Sequence, residues 1–209
     1  MSISADGFVA GPGQSADEPL GVGGMRLHEW HFHPQGQDQS VIDEWQQTPG
    51  AYIMGRNMFG PGRGAWDLDW KGWWGAEPPY HAPVYVLTHH AREPLAMDGG
   101  TTLHFVTDGL ESALERAATE VAGKSVEIAG GAATVNAYLQ AGLVDELHLH
   151  ISPVLLGAGE RLFEGVPDTL RLAPVQVIGS AGATHIKYRV GQDITVIDGA
   201  RLPGGSDGG

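Results

Sequence analysis

The stretch Val126-Glu127-Ile128-Ala129-Gly130-Gly131-Ala132-Ala133-Thr134-Val135-Asn136 reads as a short buried strand that breaks at two glycines and runs directly into a helix. A strand feeding a helix in this way is the repeating unit of α/β architecture, and the joint has chemical consequences. The first N–H groups of a helix lack intrahelical partners and carry the positive end of its dipole, so they attract an anion, most often a phosphate. Two glycines permit close approach of a pyrophosphate, and Thr134 adds a hydroxyl in the first turn. The same Gly-Gly pair is also a common structural joint, and on its own it leaves both readings open.

Outward from this joint, strands and helices alternate. Ala51-Tyr52-Ile53-Met54, Val84-Tyr85-Val86-Leu87 and residues 103–106 are short apolar runs bounded by Gly, Pro or Asp, as expected of central strands covered on both faces. A helix is expected from Asp108, capped by that side chain with Glu111 at the third position. Its apolar positions are Leu110, Leu114, Ala117 and Val121, and Gly123 stops it. The helix after Gly131 carries Val135, Tyr138 and Leu139 on one face and stops at Gly142. A long strand over residues 144–156 follows, then a hairpin of residues 175–178 and 184–190 about Gly179-Ser180-Ala181-Gly182. In its second arm Ile186, Tyr188 and Val190 alternate with His185, Lys187 and Arg189, which predicts a buried face and a wet one. The pattern is that of a mostly parallel α/β sheet with an antiparallel edge, in a single domain over residues 1–192. Residues 11–24 and 61–83 read as irregular, and the Gly-rich tail, residues 199–209, as disordered. The start at Met1 leaves room for only a short first strand, unless the natural start lies upstream.

Composition excludes several classes. A chain of 209 residues can bury a substantial core without staples. It has no Cys, hence no disulfide framework and no thiolate chemistry, which fits a reducing cytoplasm. No segment approaches the roughly 18 apolar residues of a membrane span. A formal charge of −13 opposes binding to nucleic acid or anionic membrane. His28, His31 and His33, and the pair His148 and His150, are close enough to invite a metal reading, but no carboxylate falls at a cupin-like distance after the second pair and no metal is expected.

Five segments then resemble one family in order and spacing. They are Ser4-Ala5-Asp6-Gly7-Phe8-Val9-Ala10; Tyr52-Ile53-Met54-Gly55-Arg56-Asn57-Met58-Phe59; Val86-Leu87-Thr88-His89-His90-Ala91-Arg92; Ala129-Gly130-Gly131-Ala132-Ala133-Thr134; and Ala141-Gly142-Leu143-Val144-Asp145-Glu146-Leu147 leading to Pro153-Val154-Leu155-Leu156-Gly157. Over about residues 2–190 the chain is similar to the dihydrofolate reductase-like family that includes the C-terminal reductase domain of the riboflavin biosynthesis protein. The resemblance implies a three-layer α/β/α sandwich, NADPH as hydride donor, a small heterocyclic substrate of pterin or pyrimidine type, and a homodimer. The activity implied is that of a 5-amino-6-(5-phosphoribosylamino)uracil reductase or a dihydrofolate reductase. A deaminase partner of the kind fused to some relatives needs a Cys-x-x-Cys pair that this chain lacks.

The resemblance also implies roles. Gly55, Arg56, Asn57 and Met58 would face the cofactor phosphates, and a guanidinium suits them because it bonds phosphate in bidentate fashion; a surface arginine pairing with one of the 25 acidic residues is the alternative. Thr88, His89, His90 and Arg92 would take the 2'-phosphate, or form an ordinary solvated loop. Ile128, Gly130, Gly131, Ala132, Ala133 and Thr134 would take the pyrophosphate, and Phe8, Val9 and Ala10 would approach the nicotinamide. No G-x-G-x-x-G with an acidic residue beyond it supports a Rossmann reading. A catalytic proton donor is not identified: Asp6, Glu29 and Asp43, with Glu44 beside the last, are weak candidates. Trp66 and Trp70, in a cluster with Trp73 and Trp74, read equally as packing and as a wall for a flat substrate. A non-catalytic ligand-binding homodimer of the same fold is the competing function.

Overall fold

A computed structural model describes residues 1–47, 49–121 and 123–191. The predicted tail at 199–209 and the predicted domain end at 192 lie outside them. The strands are β1 (Ser2–Ser4), β2 (Phe8–Ala10), β3 (Pro49–Gly55), β4 (Pro83–Leu87), β5 (Leu95–Ala96), β6 (Thr102–Val106), β7 (Ser125–Gly130), β8 (Glu146–Ser152), β9 (Glu160–Arg161), β10 (Arg171–Gly179) and β11 (Thr184–Gly191). The α-helices are α1 (Glu29–Phe32), α2 (Asp38–Gln47), α3 (Arg56–Phe59), α4 (Leu110–Glu120) and α5 (Ala132–Gln140).

Five strands form one sheet in the order β5-β6-β4-β3-β7, in which β6, β4, β3 and β7 are parallel and β5 is an antiparallel edge. A second sheet, β1-β8-β11-β10, carries the C-terminal hairpin, and β2 pairs with β9. Alternation along β3 explains the layering. Ala51 and Ile53 point into a core with Tyr85, Ala113, Ala117 and Tyr138, so α4 and α5 cover that face. Tyr52 and Met54 point the other way, onto Phe59, Tyr80, Val84 and Val86. There the cover is α3 and the irregular loop that follows it, with Trp66, Trp70 and Trp74 packed on the cluster. The other face of α5 reaches the second sheet: Ala132, Val135 and Leu139 pack with Ile3, Leu147 and Leu149. One helix thus joins the two sheets, with Tyr138 facing the first and Val135 the second.

Three local expectations are corrected. The helix expected from Asp108 begins at Leu110 with Gly109 before it and no side-chain cap. Asp108 instead accepts bonds from Ser112 at 2.9 Å and Arg116 at 2.6 Å, because the left-handed φ of 103° at Gly109 turns the chain before the helix starts. The long strand over 144–156 is only β8, since residues 153–157 leave the sheet to pack against the Asp6 turn. In β11 the expected wet face is wet only at Arg189: His185 is 4% exposed and Lys187 is held by Glu44 at 2.8 Å, because α1 and α2 lie across that end of the strand. The strand β5 was not anticipated; its two residues are too few to show a period.

Ile53 is completely buried at the centre of the parallel sheet. Ile53→Ala should therefore lower unfolding free energy by about 2–5 kcal/mol in urea melts. A loss below about 1 kcal/mol would mean that this strand is not the packed centre.

Candidate functional site

Parallel strands bring their C-terminal ends to one edge, and register decides which turns meet there. Gly55 ends β3 opposite Leu87 of β4, Met54 lies opposite Gly130 of β7, and Leu87 opposite Val106 of β6. Residues 55–58, 88–92 and 130–134 therefore leave three adjacent strands side by side.

Contacts tie these turns together. A Cβ at Gly55 would collide with the Thr134 hydroxyl, so only glycine allows β3 and the start of α5 to approach this closely. Gly130 has φ +140°, and its peptide bond to Gly131 is cis. A Cβ there would stand 3.2 Å from Met58 Sδ. The residue before α5, Gly131, supplies no side-chain cap, so the N–H groups of Ala132, Ala133 and Thr134 keep the orphan character that the sequence suggested. On the other side, the Arg56 guanidinium lies over the Trp66 ring at 3.8 Å from its centroid and donates to the carbonyls of Gly64 and Ala65. The Trp66 indole donates to the His90 carbonyl at 2.7 Å, while the His90 N–H is received by the Thr88 hydroxyl at 3.1 Å. A continuous chain of contacts thus runs from the glycine turn through Gly55 and Arg56 to the basic turn. Partial burial and the neighbouring Arg63 push the Arg56 pKa down from the usual arginine value.

Arg92 is not on the outside of its turn. Its Nη2 donates to the carbonyls of Leu68 at 3.1 Å and Trp70 at 2.9 Å, so it holds the tryptophan loop against the sheet. Its Nη1 is buried without a hydrogen-bond partner. Such an orphaned cationic donor is costly unless an anion or water meets it. His89 and His90 are exposed beside it, and Asn57 is exposed on α3. The donor set is thus two guanidiniums, two imidazoles and free helix N–H groups at one edge of an acidic protein, which suits a polyanionic cofactor. Trp66 and Trp70 use their indole N–H groups on backbone, Trp70 donating to the Phe59 carbonyl at 2.9 Å.

At the other end, Phe8, Val9 and Ala10 are buried in β2, which hydrogen-bonds with β9. Asp6 binds the N–H groups of Leu156 at 3.1 Å and Gly157 at 2.7 Å. The Ser4 hydroxyl above all, and then those two N–H groups, lower its pKa to about 2, so it is a fixed carboxylate that staples a loop and not a proton donor. Glu29 and Asp43 lie on exposed helix faces, Asp43 receiving the Gln39 side chain at 2.8 Å. Glu44 is held by Lys187.

The carboxylate that is buried is one the sequence did not single out. Asp38 opens α2, is wholly inaccessible, and bonds His185 at 2.9 Å. An aspartate at a helix start is so ordinary a cap that nothing local marked it. On β7, Glu127 accepts the Trp45 indole N–H at 2.7 Å, and burial raises its pKa. His148 lies near the Glu146 carboxylate and His150 bonds His185; among the described residues no three His, Cys, Asp or Glu side chains are arranged to hold a metal ion. Nor is any described helix long and apolar enough to cross a membrane.

Known proteins share this fold. The family model described as the RibD C-terminal domain matches residues 1–183, and the chain belongs to that family. The uncharacterized protein YwjB of Bacillus subtilis is 32% identical over 187 residues, which cover 88% of this chain and 93% of that one. Among solved structures, a putative riboflavin biosynthesis protein from Shewanella has a TM-score of 0.62 at 20% identity, covering 91% of this chain and 96% of its own. A pyrimidine reductase-like protein from Corynebacterium diphtheriae has a TM-score of 0.55 at 15% identity, covering 91% and 90%. At these identities the structures establish a shared fold, the mixed α/β sandwich with a parallel-rich central sheet.

The Asp6 staple makes a pH-dependent contribution. Its folded pKa of about 2 lies below the ordinary aspartate value of 3.8, so the contribution is complete above pH 4 and is lost as pH falls through about 2. Asp6→Asn should therefore melt at a lower temperature than the natural protein at pH 6, with the gap closing by pH 2. A gap that does not change with pH would mean the carboxylate charge plays no part.

Proposed function

We propose that this protein is an NADPH-dependent reductase that transfers hydride to a C=N or C=O bond of a small heterocycle of pterin or pyrimidine type. The observation that carries this reading is the meeting of three donor-rich turns on adjacent strands at the C-terminal edge of the parallel sheet. In open α/β sheets that edge is where ligands bind. Membership of the RibD C-terminal family supports the same reading.

In this assignment Ala132, Ala133 and Thr134 at the head of α5 bind the pyrophosphate, with Gly130 and Gly131 keeping side chains out of its way and Ile128 lining the strand below. Gly55, Arg56, Asn57 and Met58 flank it. Thr88, His89, His90 and Arg92 take the 2'-phosphate. The backbone of Phe8, Val9 and Ala10 orients the nicotinamide end, and Trp66 and Trp70 supply the apolar side. NADPH, when bound, supplies the hydride; the chain positions the reactants and excludes water. A second copy of the chain belongs to the proposal, because edge strand β10 leaves Val175 and Val177 49% and 62% exposed, an apolar edge of the kind that soluble proteins cover.

NADPH at about 100 times its dissociation constant should stabilise the fold by roughly 2.7 kcal/mol in a thermal-shift titration, and NADH by clearly less. Equal shifts would remove the 2'-phosphate assignment, and no shift with either would sink the reductase reading. Loss of absorbance at 340 nm with pterin and pyrimidine acceptors then separates an enzyme from a ligand-sequestering dimer. Arg56→Ala should weaken NADPH about tenfold or more, since a charge-assisted hydrogen bond contributes about 1.5–3 kcal/mol. Unchanged affinity would place this guanidinium outside the cofactor site.

A further inference from the structure

A chain of three titratable side chains, two of them buried, runs from α2 to β11 and β8 without a role in the proposed site. Asp38 Oδ1 is 2.9 Å from His185 Nε2 on β11, and His185 Nδ1 is 2.9 Å from His150 Nδ1 on β8. The two histidines are register partners in the β11–β8 pair. Both rings are clamped by Trp30, with centroids at 4.9 Å from His185 and 4.5 Å from His150, and the Trp30 N–H is anchored to the Ser2 hydroxyl at 3.0 Å.

The protons in this chain follow from its buried end. Burial pushes the Asp38 carboxyl up, but bonds from Ser180, from the Gln35 N–H and from His185 outweigh it and hold the group ionised. A carboxylate only accepts, so His185 Nε2 bears hydrogen. Where His185 carries that one hydrogen alone, its Nδ1 is a bare acceptor and the hydrogen between the rings sits on His150 Nδ1. His150 Nε2 is left as a lone pair. No group among the described residues bonds to that nitrogen. The charged or titratable groups that face His150 are the Met1 amine, His185, His148 and His28; with burial they oppose its protonation.

Its position suits a substrate. His150 is the register partner of Ser2 in β1, the strand that leads into the Phe8–Ala10 segment. We propose that His150 anchors the substrate by accepting a ring N–H or O–H at Nε2, with His185 and Asp38 as positioning residues that set its tautomer. This rests on the reductase reading above. The site then selects a neutral heterocycle that presents a donor there, and a carbonyl or a ring lone pair set against Nε2 is repelled.

Nitrogen-15 NMR of the histidine-labelled full chain at pH 7 tests this directly, because protonated and bare imidazole nitrogens resonate far apart. His150 should show a bare Nε2 and His185 a bare Nδ1. In the NADPH-saturated protein, millimolar uracil should shift the His150 Nε2 resonance, whereas 1,3-dimethyluracil, which has no N–H, should not. Asp38→Asn, which can donate as well as accept, should mix the tautomers and weaken uracil at least tenfold while the NADPH dissociation constant stays within twofold. A protonated Nε2 at pH 7, no shift with uracil, or equal shifts with both pyrimidines overturns the anchor, and these readouts on the natural protein stand even where the variant does not fold. Failure of the reductase reading has a different signature: NADPH leaves the melting temperature unchanged while His150 still discriminates between the two pyrimidines.

Discussion

The parallel register of β4, β3 and β7 is the constraint on which the rest depends. With Gly55 opposite Leu87 and Met54 opposite Gly130, three turns distant in sequence share one edge. A slip of one residue would turn Ile53 and Met54 to the wrong faces and exchange the helix-covered core for the tryptophan-covered one. The absence of a side chain at Gly55 is part of the same constraint, since the Thr134 hydroxyl occupies the space that a Cβ would need. Sheet register and the head of α5 are therefore set together.

The tryptophan loop belongs to this arrangement as structure before it belongs to any site. In place of a long helix, the face of the sheet carrying Tyr52 and Met54 is closed by irregular chain, which must find partners for its own polar groups. Arg92 provides them by donating to Leu68 and Trp70, and the indoles of Trp66 and Trp70 donate to His90 and Phe59. The same guanidinium and the same indole that organise the loop also border the phosphate turns. Packing and recognition here use one set of side chains, so substitutions in this loop act on both.

The second sheet adds a polar interior of a different kind. Together with α2 it encloses a carboxylate and two imidazoles beside Trp30, an arrangement that is costly unless the donors and acceptors are matched. The match runs from Asp38 through His185 to the Nδ1 of His150.

The sequence by itself determined the alternation of strands and helices, the parallel core, the glycine joint before α5 and the family, because those rest on local periodicity and on motifs whose residues are contiguous. Gly55, Arg56, Thr88, Gly130 and Thr134 were legible as candidates for that reason. Only the tertiary structure decided that the three turns are neighbours, that Arg92 points inward, that Asp6 is a staple, and that the face of β11 carrying His185 is buried. Each of these depends on which distant segment lies across a surface. An alternating strand reads as half wet from its own residues, and nothing within 184–191 reveals that α2, more than a hundred residues earlier in the chain, brings Asp38 against it. Burial of a polar side chain is a property of its partner, and the partner here is far away in sequence.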